Sequence, residues 1–197
     1  MEAVETFQEE PHEWRIRSLT VAAKMWCGSL AFFFAAFLFA YFYLKSLDLN
    51  HNWKIGSHVS PSGGVGVAIM GVFLLSGVFL HLASRRPADR IPMGAAAMLL
   101  ALIGVGLQFF EYSIAGFGPA SGAYASVFFG WTSVYALGAL WGIYWMETQI
   151  ATFWRVSRGD FNGVDEELLD AGLKACSICW SFFVGIGVVM YIVLYLV

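Results

Sequence analysis

Residues 108–132 read QFFEYSIAGFGPASGAYASVFFGWT, and this stretch decides the fold because it joins two long apolar runs through a turn of small residues. Its one charged residue, Glu111, follows about twenty uncharged residues, and the next basic residue is Arg155. An ionised side chain at membrane depth costs a few kcal/mol, so such a residue normally lies at an interface, in a protein contact or on a water path. Glu111 is therefore the first candidate for a functional site, and any cationic partner must come from far along the chain.

The composition of the 197-residue chain is that of an integral membrane protein. Hydrophobic residues make up 59% of the chain and charged residues 13%, which is about half the charged fraction of a typical soluble domain. The net charge is -3, and the sequence contains no basic patch that would neutralise nucleic-acid phosphates. We therefore exclude nucleic-acid binding.

Five apolar runs predict an all-α bundle of five transmembrane helices, because about 20 apolar residues cross a bilayer at 1.5 Å per residue. The predicted spans are residues 24–44, 65–83, 92–112, 122–146 and 174–197. They form one membrane domain, 24–197, after a polar tail, 1–23, in which a short interfacial helix is expected near Trp14. Acidic residues in 166–170 alternate with apolar ones and predict a short amphipathic helix that leads into the fifth span.

The basic residues predict the orientation of this bundle. With five spans, nine of the eleven Lys and Arg residues fall on the side of the N-terminus, and only Lys45 and Lys54 fall on the other side. By the positive-inside rule, the N-terminus is cytoplasmic and the C-terminus is outside. Glu111 is then expected near the outer end of the third helix.

Glycines recur in the second to fifth spans, where we expect them to permit close helix packing, because lipid tails are as apolar as leucine and small residues let backbones approach. These glycines are Gly66, Gly71, Gly77, Gly104, Gly106, Gly138, Gly142, Gly185 and Gly187. They predict a packed bundle.

The three cysteines are expected to be buried apolar residues. Cys176 and Cys179 form a CxxC near the start of the fifth span, and Cys27 lies in the first. No second CxxC and no clustered histidine accompany them, so a zinc or redox site is not indicated.

The histidines also give no recognised ligand pattern. His81 is the only histidine inside a predicted span, whereas a haem held between helices normally needs two axial histidines, so we expect an interface-seeking side chain. His51 and His58 lie seven residues apart in the 45–64 loop, which also holds Asp48, but this spacing matches no familiar metal site. We expect them to be solvated.

The residues around Glu111 resemble the signature of haem-copper oxidase subunit III. The matching positions are Gln108, Glu111, Tyr112, Gly122, Tyr124, Ser126, Phe128 and Thr132. The run from Ser29 to Phe37 is similar to the first retained helix of that family, and Trp180-Ser181-Phe182 to its last. The resemblance extends over all five spans, which is the helix count of the short bacterial form of the subunit.

The chain differs from the family at several positions where the family has polar or ionisable residues in the membrane. Ser29 stands where an intramembrane glutamate is usual, and residues 133–138 lack the usual pair of histidines, with Tyr135 among the replacements. Ser181 follows Trp180 where the family usually has histidine. These departures disfavour proton conduction or ion binding by this chain.

The resemblance implies a non-catalytic subunit III of a cytochrome c oxidase in the bacterial inner membrane. Such a subunit stabilises the catalytic subunit I and supports oxygen reduction coupled to proton pumping, with haem and copper on partner subunits. It implies no catalytic, cofactor-binding or metal-binding residue on this chain, and a structural role for Glu111 as an acceptor of hydrogen bonds at the outer interface or from a neighbouring subunit.

The resemblance also implies structural phospholipid bound between helices. Arg85, Arg86 and Arg90 are the candidates for meeting an anionic head group, although the ordinary positive-inside signal explains the same cluster. Two alternatives remain open for the function. One is a subunit-III-like accessory protein of a quinol oxidase or nitric oxide reductase, and the other is a stand-alone small transporter in which Glu111 lines a path.

Overall fold

The computed structural model describes residues 11–48, 53–54, 60–160 and 165–197, and the fold is built from helices in these ranges. Five helices are long and apolar enough to cross a membrane, which confirms the predicted all-α architecture with five spans. They are α1, His12–Ser46; α2, Gly63–Arg85; α3, Arg90–Ile114; α4, Ala123–Ser157; and α5, Glu166–Tyr191. A 3₁₀ turn, Pro87–Asp89, joins α2 to α3, and a π-helical turn, Ile192–Leu196, continues α5.

Two of the helices are longer than the predicted spans. α1 has 35 residues and begins at His12 instead of residue 24, so the helix expected near Trp14 is the first part of α1 and not a separate element. α4 also has 35 residues and continues to Ser157 instead of 146. We call residues 12–23 of α1 and 147–157 of α4 the overhang, because they extend beyond the apolar spans at one end of the bundle.

The overhang lies at the end that also holds Arg85, Arg90 and Lys174, which we call the basic end. There the first turn of α1 meets the N-terminus of α5, where His12 Nε2 hydrogen-bonds Asp165 Oδ2. α5 begins at Glu166, so the predicted amphipathic helix does run without a break into the fifth span. The opposite end of the bundle, with Glu111 and the π-helical turn, we call the signature end.

α5 is the most enclosed helix and packs against α1, α2 and α4, whereas α3 packs against α2 and α4. Aromatic rings fill the interior between them. Tyr135 of α4 stacks on Phe183 of α5 with ring centroids 4.3 Å apart, and Phe73 and Phe34 meet Tyr135 edge-on. Tyr135 therefore lies in the apolar core, where its hydroxyl donates to the Phe183 carbonyl at 3.4 Å.

Glycines contribute to packing mainly by receiving rings. A Cβ atom would lie 3.0 Å or less from an aromatic side-chain atom at five of the nine predicted packing glycines: Gly66, Gly104, Gly138, Gly142 and Gly187. Gly77 contacts Val184 instead, while Gly71, Gly106 and Gly185 face nothing within 4 Å. The prediction of a glycine-packed bundle is thus confirmed at six positions, with side chains rather than opposing backbones filling the space.

Candidate functional site

The last turns of α3 hold the candidate carboxylate. Gln108 and Glu111 are three residues apart and therefore share one face of the helix. The Gln108 Nε2 atom donates to Glu111 Oε2 at 3.1 Å. Glu111 is 1% exposed and Gln108 is 3% exposed, so both side chains face the bundle interior and not lipid.

The second donor to Glu111 comes from the far end of the sequence. The Tyr195 hydroxyl, in the π-helical turn, donates to Glu111 Oε2 at 2.5 Å. Within the described ranges, Glu111 has no basic partner and its Oε1 atom has no hydrogen bond. The partner is therefore distant in sequence, as predicted, but it is a phenol instead of a cation.

Three other helices position the Tyr195 ring. A Cβ atom on Gly66 of α2 would lie 2.8 Å from Tyr195 Cδ1 and closer still to Cε1, so the ring fills the space that glycine leaves. Phe128 of α4 meets the ring edge-on at 6.0 Å, and Tyr191 of α5 stacks on it at 4.9 Å. The hydroxyl is thus aimed at Glu111 by packing from α2, α4 and α5.

A parallel set of hydrogen bonds joins α4 to its neighbours. The Tyr124 hydroxyl donates to the Leu194 carbonyl at 2.6 Å, which gives the π-helical turn a second anchor. The Tyr112 hydroxyl donates to Thr132 Oγ1 at 2.7 Å, and Thr132 in turn donates to the Phe128 carbonyl at 2.6 Å. These contacts fasten α3, α4 and the π-helical turn to one another at the signature end.

The turn between α3 and α4 is shaped by Gly122 and Ser126. Gly122 precedes α4 with φ 130°, a backbone conformation that side chains with a Cβ rarely adopt. The Ser126 hydroxyl is 2.7 Å from the Pro119 carbonyl oxygen and 3.1 Å from that of Gly122, so it caps the turn from inside the helix. Phe117 in the turn packs on Phe128, so the turn covers the aromatic rings beside Glu111, which we call the aromatic layer.

A short piece of the α1–α2 connection covers the outside of this layer. The Trp53 indole meets Tyr41 and Tyr124 edge-on at 5.1 and 5.9 Å, and the Trp53 backbone N–H donates to Asp48 Oδ2. Lys54 Nζ lies over the Tyr124 ring, 4.6 Å from its centroid. Burial lowers the pKa of Lys54, and the positive charge of Lys45 lowers it further.

Chemically, the signature end is suited to holding helices together. The carboxyl group of Glu111 is enclosed, and one of its oxygens accepts from both donors. General acid–base or nucleophilic catalysis needs a second reacting group within hydrogen-bond reach and access for a substrate. Gln108 and Tyr195 are instead neutral donors locked by packing, so the arrangement indicates a structural site.

Eight of the predicted signature residues gather here, and Trp180 does not. The Trp180 Nε1 atom donates to Ser76 Oγ at 3.0 Å, and Ser76 donates to the Ala97 carbonyl at 2.7 Å. This second set of hydrogen bonds ties α5, α2 and α3 together in the interior. Ser76 is 0% exposed, and its position in an otherwise apolar run gave the only hint of this role.

The cysteines are free and buried, as expected. Cys179 of α5 lies against α1, with its Sγ 3.6 Å from the Ala23 carbonyl, and it packs with Cys27 in a small apolar cluster. His51 and His58 lie outside the described residues. In the part of the chain that is described, no group of three or more His, Cys, Asp or Glu side chains is placed to hold a metal ion.

The arginine cluster is divided by the fold. Arg85 and Arg90 line a polar cavity at the basic end together with His81, whereas Arg86 is not among the lining residues. The guanidinium of Arg90 pairs with Asp170 of α5 at 2.6 Å and lies over the Phe153 ring at 4.2 Å. Sequence reasoning missed Asp170 and Tyr195 as partners, because their contacts depend on how each helix is rotated.

No family model matches the sequence, and no characterised protein is significantly similar to it.

Proposed function

We propose that this chain is a non-catalytic subunit III of a terminal respiratory oxidase of the cytochrome c oxidase type. The catalytic subunit I and other subunits of that oxidase would carry the haem and copper. The chain would lie in the bacterial inner membrane with its N-terminus cytoplasmic. Its role would be to stabilise subunit I and so sustain oxygen reduction coupled to proton pumping.

The observation that carries this proposal is the use made of the subunit-III-like residues. Glu111, Tyr112 and Tyr124 each make a side-chain hydrogen bond to another helical element of this chain, and Thr132 accepts the one from Tyr112. A residue pattern that serves to join helices is what a scaffold subunit requires. It supports the proposal without identifying the partner.

The decisive experiment is purification of the tagged chain from its native membrane in a mild detergent, followed by an optical spectrum and copper analysis. We expect haem absorbance and copper to co-purify with the chain. A chain that migrates alone without haem absorbance would overturn the proposal and favour a transporter. Haem without copper, or electron donation by quinol alone, would favour the accessory protein of a nitric oxide reductase or quinol oxidase.

Substitution of Glu111 by glutamine then tests the role of the carboxyl group in that complex. The amide oxygen still accepts from Tyr195, so the loss is the difference between a charge-assisted and a neutral hydrogen bond, about 1 kcal/mol. We expect reduced retention of the subunit and faster loss of turnover. Glu147→Gln is the matched control, because Glu147 is exposed in the overhang. Equal behaviour of the two variants would contradict a structural role for Glu111.

A further inference from the structure

A groove of about 490 Å³ runs between α1 and α5. Small, exposed residues line it on both helices, with Ala31 and Ala35 on α1 and Ser181 and Gly185 on α5. The members of each pair are four residues apart and therefore lie on one side of their helix. A Cβ atom added at Gly185 would meet nothing within 4 Å. The groove is therefore open toward the lipid side of the bundle.

The floor of the groove is aromatic and buried. Trp131 of α4 and Phe34 of α1 line the groove and are 1% and 4% exposed. The Trp131 ring stacks on Phe37 of α1, with the ring centroids 6.1 Å apart, which fixes the plane of the indole. Three helices thus contribute to this space, and α4 contributes the indole at its base.

The Trp131 indole nitrogen points to an occupant of the groove. In the part of the chain that the structure describes, its buried N–H has no hydrogen-bond acceptor. An indole nitrogen can only donate, and a buried donor normally has a partner. The Trp180 indole, by contrast, donates to Ser76. The exposed Ser181 hydroxyl supplies a second donor to the groove, so the occupant is expected to present acceptor oxygens.

The depth of the groove rules out a phospholipid head group as the source of the acceptor. Ala35 is ten residues before Lys45, which is about 15 Å along α1. The charge of Lys45 is expected at the lipid boundary, and the hydrocarbon layer is about 30 Å thick, so Ala35 lies near its middle. The phosphate and ester groups of a phospholipid lie at the boundary, and the acyl chains that reach the middle carry no acceptor.

The extent of the groove favours a small molecule over a partner helix. Its lining residues run from 31 to 38 on α1 and from 181 to 189 on α5, about 11 and 12 Å along the two helices. A helix that crosses the membrane needs a contact surface over most of the 30 Å layer. Small-molecule sites are typically clefts of about 300–1,000 Å³ with apolar and aromatic walls and a few placed polar groups. The groove has these properties.

We propose that this groove binds the ring of an isoprenoid quinone, with a quinone carbonyl accepting from Trp131 Nε1 and the isoprenoid tail leaving between α1 and α5 into lipid. An oxidised quinone carries acceptor oxygens and neither a charge nor a donor, so it suits an uncharged floor with an unused donor at this depth. Phe34 and Phe182 offer aromatic contacts to its ring. Binding here involves no redox step on this chain and does not depend on whether the chain belongs to an oxidase.

The test measures binding of decylubiquinone to the purified full chain in detergent, with the bound quinone counted by native mass spectrometry. Trp131→Phe removes the indole N–H and keeps an aromatic ring in the floor. Trp141→Phe is the matched control, because Trp141 is 63% exposed and does not line the groove. Ser181→Ala removes the second donor. Decylbenzene, which has a similar tail and a ring but no carbonyl, shows whether the acceptor oxygen is needed.

We expect the Trp141→Phe variant to bind decylubiquinone as the wild type does, the Trp131→Phe variant to bind about tenfold more weakly, and Ser181→Ala to weaken binding about threefold. Decylbenzene should bind the wild-type chain about tenfold more weakly than decylubiquinone. Equal affinity of the two tryptophan variants, or of the two probes, would overturn the proposal.

Gly185→Leu keeps the test decisive if Trp131→Phe lowers the stability of the chain. The new side chain fills the groove, and its Cβ meets nothing within 4 Å. Gly71→Leu, at an equally open glycine of α2, is its control. We expect Gly185→Leu alone to abolish binding, with both variants unfolding near the wild-type temperature. Unchanged affinity in Gly185→Leu would place the quinone elsewhere and overturn the assignment.

Absence of binding by the wild-type chain, up to the solubility limit of decylubiquinone, would also overturn it and would leave the groove to a transmembrane helix of a partner. Failure of the oxidase proposal would leave all these results unchanged, because none of the measurements needs a partner subunit.

Discussion

Replacement of Tyr195 by phenylalanine isolates the contact that closes the signature end. The substitution removes one hydroxyl and keeps the ring, which remains packed against Gly66 and Phe128. Glu111 Oε2 then keeps only the Gln108 donor at 3.1 Å. Because one donor remains, the carboxyl group does not bear the full cost of an unsatisfied buried group.

The expected loss of stability follows from the chemistry of the remaining bond. A hydrogen bond contributes about 0.5–1.5 kcal/mol between neutral groups and about 1.5–3 kcal/mol when one partner is charged. With Gln108 still in place, we expect a loss of about 1–2 kcal/mol, which corresponds to about 2–8 °C in unfolding temperature for a chain of this size.

The three native cysteines provide the assay, because all are buried and free. A thiol-reactive dye that fluoresces on coupling reports their exposure as the protein is heated in detergent. Tyr191→Phe is the control, since the Tyr191 ring stacks on Tyr195 but its hydroxyl makes no hydrogen bond in the described structure. The reasoning is refuted if the two variants unfold at the same temperature.

The same substitution should no longer lower the stability of the protein when Glu111 is already absent. In a Glu111→Leu background, the Tyr195 hydroxyl has lost its acceptor and becomes an unsatisfied buried donor. Removing it should then be neutral or slightly stabilising. Equal destabilisation by Tyr195→Phe in both backgrounds would show that the hydroxyl acts through some other group.

Two further predictions concern packing and pH. Gly66→Ala should destabilise the chain by about 1–3 kcal/mol, because the new methyl group overlaps the Tyr195 ring. Gly71→Ala on the same helix should be neutral or stabilising, since nothing lies within 4 Å of the added methyl group. Thermal unfolding of both variants checks this, and equal stability of the two would contradict it. Asp165 caps α5. The pKa of its carboxyl group is lowered mainly by the backbone hydrogen bond from the third residue after it, and further by the histidine in the first turn of α1. A lowered folded-state pKa means that the stabilisation is present above the ordinary aspartate pKa of about 3.9 and is lost as the pH falls below it. Asp165→Asn keeps the cap but should flatten the decline in unfolding temperature below about pH 4, whereas Asp160→Asn, at an exposed position, should leave that decline unchanged.

The number and type of the helices could be predicted from the sequence because each apolar run is as long as a bilayer is thick. The start of α1 and the end of α4 could not be predicted in this way. Residues 12–23 and 147–157 mix charged and apolar side chains, so hydropathy separates them from the spans. The backbone nevertheless continues as helix, because each N–H finds its acceptor four residues earlier on either side of the lipid boundary. A hydropathy pattern reports where lipid is expected, and that boundary differs from the end of a helix.

For the candidate site, contacts within one helix could be predicted and contacts between helices could not. The spacing of Gln108 and Glu111 places them on one face without any knowledge of the fold. The Tyr195 hydroxyl reaches Glu111 across 84 positions of sequence because packing from α2, α4 and α5 holds its ring beside the carboxyl group. Similarly, Arg86 and Lys174 are both cations at the basic end, and only the rotation of α2 and α5 decides which of them faces the cavity.

The overhang also bears on how this protein meets membranes of different thickness. At 1.5 Å per residue, the 35-residue α1 is about 52 Å long, whereas the 23-residue α2 is about 35 Å long, against a hydrocarbon layer of about 30 Å. Arg85 ends α2 and Arg90 begins α3, so their charges are expected at the lipid boundary, while α1 and α4 continue past that level. We therefore expect a thinner bilayer to be accommodated by tilting of the helices, and a thicker one to thin locally around the protein, because drawing the charged turns of the overhang into hydrocarbon would cost more than local thinning.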